Sequence, residues 1–314
     1  MQPITVSVGP VTAAVTTQVV ASQTPNAGQL VLNGAGATFS INNIAAAQDP
    51  AAAGNLTLAS SPVTLAQASF VYVTSAANDT AFTFTITGLD VNGRPLTEVL
   101  TGGNAKAVVS TQRFIVVSNV AVSGNAGSVQ VGSFSGATFT GATSRQVTIT
   151  SAGNDSVNTF VVTGTGPNNE ATSETITGPN TATVTTTSYF KTVTSVTISG
   201  NAVAAITVGM TATASSRWVR FDDFAPSNIS IQCSVAGSAT YTLQSTLDDP
   251  NDPFNPVAPS TVVWVSTSDT NVVGATTTQQ SNFLFAPRYA RVILTTTSTG
   301  SVTMTAIQSS NGPI

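Results

Sequence analysis

Thirteen carboxylates and a single thiol are the main candidates for acid–base, nucleophilic or metal chemistry here, because the chain contains no histidine. Without an imidazole, Ser-His-Asp and Cys-His nucleophilic systems, histidine general bases and nearly all catalytic zinc or iron sites fall away. Paired-carboxylate hydrolysis and oxygen-ligand metal binding remain, and both depend on where the acids stand. Asp79 and Asp155 each follow an asparagine, in Asn78-Asp79-Thr80 and Asn154-Asp155-Ser156. A catalytic pair made of them would be divided between two separate units. Each therefore reads as a turn residue whose carboxylate accepts neighbouring backbone N–H groups. Glu98 and Glu174 lie in Thr-rich runs and read as solvent-facing strand residues that guard an edge.

The one dense acidic cluster is Leu247-Asp248-Asp249-Pro250-Asn251-Asp252-Pro253. Hard oxygen ligands this close suit calcium, but the spacing is not that of an EF-hand loop, and the two prolines favour a rigid exposed turn. Cys233, alone, cannot form an intrachain disulfide; in the run Ile229–Val235 it reads as a small core thiol with no base to activate it. Trp218 would suit a carbohydrate groove, yet in Trp218-Val219-Arg220-Phe221-Asp222-Asp223 it reads first as an anchor of the local core. Gly164-Thr165-Gly166 lacks the lysine and helix of a phosphate loop. No catalytic, cofactor-binding or metal-binding residue is assigned, and a non-enzymatic protein is expected.

The elements that hold these residues are strands. Residues 74–126 align without a gap on 150–202, an offset of 76, with 23 of 53 positions identical. Thr74-Ser75-Ala76-Ala77-Asn78-Asp79-Thr80 answers Thr150-Ser151-Ala152-Gly153-Asn154-Asp155-Ser156, and Ser123-Gly124-Asn125-Ala126 answers Ser199-Gly200-Asn201-Ala202. Glycines and asparagines in register mark a duplication rather than shared composition. Phe82, Phe84 and Ile86 alternate with Thr83, Thr85 and Thr87, the period of a half-buried strand, and Asn92-Gly93 and Gly124-Asn125 supply turns. Ala45-Ala46-Ala47 is the single candidate for a helical turn, interrupted by Pro50. The fold expected is all-β, with tandem antiparallel sandwich or jelly-roll-like domains, two of them related by the repeat.

Four segments follow. Residues 1–60 form an arm, uncharged as far as residue 48, plus strands that complete the first domain, although such an arm equally suits a neighbouring subunit. Residues 61–134 and 135–211 are the two repeats. Residues 212–314, with Trp218, Trp264, Tyr241 and Tyr289, form an unrelated sandwich with strands at Ile229–Val235, Tyr241–Leu247, Val262–Val265, Phe283–Phe285, Ala290–Thr295 and Val302–Ile307.

Charged residues make up 7% of the chain, against roughly 25% in an ordinary soluble domain. Thr, Ser, Asn and Gln must cover the surface instead, which suits packing into an assembly. The net charge of −4 and the scattered Arg94, Lys106, Arg113, Arg145, Lys191, Arg217, Arg220, Arg288 and Arg291 argue against nucleic-acid binding. No apolar run approaches the roughly 18 residues of a spanning helix, so no membrane partner is expected. The opening Met1-Gln2-Pro3-Ile4-Thr5 lacks the features of a secretion signal, so synthesis in a host cytoplasm is expected.

The repeated unit resembles modules of tailed-bacteriophage virion proteins: Thr-Ser-Ala-x-Asn-Asp, then Phe-x-x-Thr-Gly, an Asn-containing hairpin, Glu-x-x-Thr-Gly and Ser-Gly-Asn-Ala. Trp218-Val219-Arg220-Phe221-Asp222 with Tyr241-Thr242-Leu243-Gln244-Ser245-Thr246-Leu247-Asp248-Asp249-Pro250 is similar to a second phage structural module. The two cover residues 60–314. They imply a virion component that decorates or cements the head, with a head or tail fibre contacting the host surface as the alternative and a bacterial adhesin behind both. The implied partners are the major capsid protein or tail components and further copies of the chain, as a trimer or other cyclic oligomer. No cofactor is implied.

Overall fold

The computed structural model describes residues 3–35, 37–138, 143–222, 228–283 and 285–309. The chain is all-β: antiparallel strands assemble into an eleven-stranded, a nine-stranded and a four-stranded sheet. Period-2 patterning explains the strands. In Thr83–Leu89, Phe84, Ile86 and Gly88 point inward while the residues between them are half-exposed. Among the described residues the only helical turns are the 3₁₀ pieces Pro259–Thr261 and Thr270–Val272. The alanine run expected to turn helically instead lies in the strand Ala37–Gln48. Its neighbour Ile44 and its first residue Ala45 are fully buried, and burial against a sheet overrides alanine's local preference.

The duplication runs strand by strand, with one long strand divided in the second copy and the last strand displaced by one further residue. Thr83–Leu89 and Pro95–Thr101 recur 76 residues on as Thr159–Thr165 and Ala171–Thr177. Ala107–Val122 recurs as Thr183–Phe190 and Thr192–Ile198, and Val129–Thr138 as Ile206–Ser215. Gly88 and Gly164 show why a glycine repeats. At each the ladder to the neighbouring strand shifts register, and an added Cβ would lie 1.9 Å from the carbonyl oxygen of Val116 or Thr192.

The N-terminal arm departs from the expectation that it completes the first unit alone. Ile4–Val8 pairs with Ser301–Gln308 of the third unit, and Val11 bridges Ser298. Val15–Gln23 and Gly28–Gln29 pair with Ile206–Ser215 and Thr192–Ile198 of the second. Only Ala37–Gln48 and Gly54–Asn55 pair with the first, on Val129–Thr138 and Ala107–Val122. The arm thus visits the units in reverse order, and its first strand lies beside the chain's last.

The arm is itself duplicated. Gln23 donates from Nε2 to the Val31 carbonyl and accepts the Val31 N–H at Oε1; Gln48 does the same with Thr57. Leu30 donates its N–H to Val196, and Leu56 donates to Val120, the equivalent residue of the other unit. Each unit is completed by its own copy of one arm segment, whose Val19, Val20 and Leu30, or Ile44, Ala45 and Leu56, are buried in that unit's core. Val8 and Val11 enter the third core in the same way.

The units are also joined end to end. The last strand of the first runs on to pair Ala137 and Thr138 with Val193 and Thr192, and the last strand of the second pairs Ala214 and Ser215 with Leu294 and Ile293. Phe70, Tyr72 and Phe134 of the first unit enter the core of the second.

Candidate functional site

The repeated acids hold the units together over long sequence distances. Asp79 is 2% exposed and accepts the Gly127 N–H at Oδ1 (3.1 Å); Asp155 is fully buried and accepts the Val203 N–H (2.8 Å). Both donors lie 48 residues away, so the tie is not the local turn contact expected. The local turn is made by the asparagines instead: Asn78 accepts from Thr80, and Asn154 from Ser156. Glu98 and Glu174 do stand in the two strands that end the eleven-stranded sheet. Their carboxylates are engaged, however. Glu98 accepts the N–H groups of Thr111 and Gln112 (2.6 and 3.0 Å), and Glu174 those of Thr187 and Ser188 (2.8 Å each). Strand bulges leave those N–H pairs unpaired in the ladder, and a carboxylate satisfies both.

The acidic turn diverges rather than converging on a point. Asp248 accepts the Val263 N–H, Asp252 the Phe254 and Asn255 N–H groups, and Asp249 the Asn251 N–H and the Tyr289 hydroxyl while pairing with Arg220 at 3.2 Å. Backbone donors hold Asp252 below the usual carboxylate range. No group of three or more His, Cys, Asp or Glu side chains disposed for a metal occurs among the described residues. Cys233 is fully buried, and burial pushes its thiol up to about 12, far from a reactive thiolate. Gly164 belongs to the strand crossing described above, which accounts for that glycine.

Side chains of differing chemistry do converge at the joint between the second and third units. Trp218 packs edge-on against Trp264 (5.1 Å between ring centres) and Tyr289 (6.3 Å). The Arg291 guanidinium lies 4.1 Å above the Trp264 ring and 5.0 Å from that of Tyr189. Gln244 Oε1 accepts two of its N–H groups, at 3.0 and 2.8 Å. Burial lowers the Arg291 pKa to about 10, so the group remains a cation inside an aromatic setting. From the second unit, Asn168 Oδ1 accepts the Trp218 backbone N–H (2.8 Å), and Glu170 Oε2 holds the Asn168 N–H (2.7 Å).

A cavity of about 40 Å³ lies there, lined by Glu170, Ser188, Tyr189, Trp218, Trp264 and Arg291. Glu170 Oε1, Ser188 Oγ and Trp218 Nε1 are buried without a protein partner. A water needs about 10–15 Å³ of such space, so the cavity has room for a few waters to bridge these three atoms. Burial also raises the Glu170 pKa. The arrangement cements two units. It offers no nucleophile with an adjacent base and no room for an extended substrate.

Trp218 is therefore an anchor, as its strand context predicts, but at a joint and not at the centre of the third core. Trp264 and Arg291 are the functional partners that sequence reasoning misses, because nothing in the sequence brings Tyr189, Trp264 and Arg291 together. Asp223 and Leu284, the latter within the strand expected at Phe283–Phe285, lie outside the described residues. No helix among the described residues is long and apolar enough to cross a membrane. No protein-family model matches this chain, and no curated protein is similar to it.

Proposed function

We propose that this chain is a non-enzymatic structural protein of a bacteriophage particle, one that decorates or cements the capsid. The observation that carries the reading is the arm. A segment uncharged through residue 48 pairs with all three units in reverse order and brings the chain's first strand onto its last. Pulling on any unit must break strand pairs with the arm as well as joints with neighbours, and such a body resists unfolding kinetically. Its partners are the major capsid protein and further copies of itself. Leu247, Val263, Val265 and Phe285 line an apolar cleft of about 290 Å³ on the third unit and are each at least 47% exposed, which supports that face as the one in contact.

Cryo-electron microscopy of purified particles of the phage encoding the chain tests the proposal. Many copies at three-fold or quasi-three-fold positions of the head, third unit against coat protein, are expected. A few copies at the tail vertex would replace the cement reading with an appendage, and absence from the particle would overturn both.

A further inference from the structure

The first unit carries an open groove where the second is plugged, and the plug identifies what the groove accepts. In the pairing of Ala37–Gln48 with Val129–Thr138, the stretch from Ser40 to Ala45 faces only Ser133 to Val131. Across the same unit, Thr64 to Ser69 faces only Val116 to Phe114. These two bulges splay the strands around a groove of about 330 Å³, within the range of about 300–1,000 Å³ usual for ligand sites. Thr38, Phe39, Asn43, Gln67, Ser69 and Ser133 line it, and no ionisable side chain does.

The second unit has the same construction: Val15 to Val20 faces only Met210 to Val208. At the position of Ser69, 76 residues on, stands Arg145, 4% exposed. Its guanidinium donates to the carbonyls of Thr211, Thr12 and Ala13 and to the Thr12 hydroxyl. By the strand registers, in which Met210 faces Val15 as Ser133 faces Ser40, Thr211 corresponds to Phe134, and Thr12 and Ala13 to Ala37 and Thr38. In the first unit the guanidinium is replaced by a serine hydroxyl and the Thr12 hydroxyl by Ala37, while Thr38, the counterpart of Ala13, lines the open groove together with Ser69.

We infer that this groove is a receptor for a guanidinium group, the side chain of an arginine presented by another protein chain. The lining suits a flat cation. It supplies hydroxyl and amide oxygens without a competing positive charge. Phe39 lies stacked on Tyr72 (5.6 Å, 13° between planes), and its fixed face suits cation–π contact. Phe39 and Ile41, 37% and 50% exposed, give the residues flanking that arginine an apolar surface to cover. The inference stands whether or not the chain belongs to a virion.

Two experiments on the full chain test it. Ser69→Arg should carry its own guanidinium into the groove and raise Tm by about 2–4 °C, with Ser69→Gln as the uncharged control. A fall in Tm, or a rise no greater than that of Ser69→Gln, would overturn the inference. NMR titration of the wild-type chain with an arginine-containing peptide of otherwise uncharged residues should shift signals of Phe39, Asn43 and Ser69. The citrulline counterpart should shift them at least tenfold less, and Ser69→Arg should abolish the response. Equal binding of the citrulline peptide would sink the guanidinium assignment. Binding of free N-acetyl-arginine methylamide as tight as the peptide's would sink the assignment to a partner chain.

Discussion

The two repeat units share their strands, their close glycine crossings and their glutamate clamps, yet they differ wherever one of them meets a neighbour. At the bulge beside the arm, the second unit places Arg145 and the first Ser69. At the inter-strand acid, Asp155 has both oxygens engaged: Ser151 Oγ donates to Oδ2 (2.5 Å), and Asn158 Nδ2 reaches Oδ1 (3.2 Å) beside the Val203 N–H. Asp79 has the Gly127 N–H alone: Phe82 stands where Asn158 stands in the other copy, and the buried Oδ2 lacks a protein partner because Ser75, the counterpart of Ser151, donates to the Ala77 carbonyl instead. At the hairpin tip, Glu170 is drawn into the joint with the third unit while its counterpart Arg94 is exposed. The middle unit, packed on both sides, engages both oxygens of its repeated acid and turns its unpartnered Glu170 Oε1 and Ser188 Oγ to the cavity at the joint; the end unit keeps a groove and an orphan oxygen at its acid. Position within the row, more than sequence drift, explains where the copies diverge.

The widest gap between the copies should appear at the bulge. Arg145→Ala removes the guanidinium that ties the carbonyls of Thr12, Ala13 and Thr211 and should cost about 3 kcal/mol, whereas Ser69→Ala should cost about 1 kcal/mol or less. Urea unfolding measures both. Limited proteolysis should show new cleavage between residues 9 and 14 in the arginine variant alone, and equal losses would break the comparison. Next come the acids. Asp155→Ala removes three hydrogen bonds and should cost about 2–3 kcal/mol, and Asp79→Ala, which removes one and relieves an orphan oxygen, about 1 kcal/mol. A larger loss at Asp79 would show that the orphan is satisfied in solution.

The glutamate clamps should behave alike, since their geometry is shared. Glu98→Gln and Glu174→Gln should each cost about 1 kcal/mol and should add in the double variant, which thermal unfolding of all three would test. The smallest effect concerns Glu170. Burial raises its folded pKa, so the folded state binds the proton more tightly than the unfolded chain does. Stability from this group is therefore greatest below its unfolded pKa and is lost as pH rises through the folded value. Glu170→Gln should raise Tm at pH 7 and leave it nearly unchanged at pH 4. A benefit that is the same at both pH values would remove the electrostatic explanation.

Much of this architecture is legible in the residues. Alternating Thr with Phe, Ile and Val gives strands, Asn92-Gly93 gives a hairpin tip where Gly93 adopts φ +75°, and the offset of 76 gives two like units. The arm's own duplication is also written, in Gln23-Thr24-Pro25 with Gly28-Gln29-Leu30-Val31-Leu32 against Gln48-Asp49-Pro50 with Gly54-Asn55-Leu56-Thr57-Leu58. It is short and carries a one-residue insertion, so an ungapped comparison passes over it. The absence of histidine is as informative as any motif, because side-chain inventory does not depend on folding.

The sequence by itself determined the class of structure, the duplication and the range of chemistry open to the chain, since strand period, turn chemistry and side-chain type are local properties. Tertiary structure alone decided which strand each arm segment joins, that Asp79 and Asp155 reach 48 residues ahead, and that Arg291 rests on Trp264 and Tyr189. The physical reason lies in the backbone. Every strand edge offers the same N–H and C=O groups, so choosing among partners falls to burial and to a few long-range side-chain contacts, and those exist only once the sheets have formed.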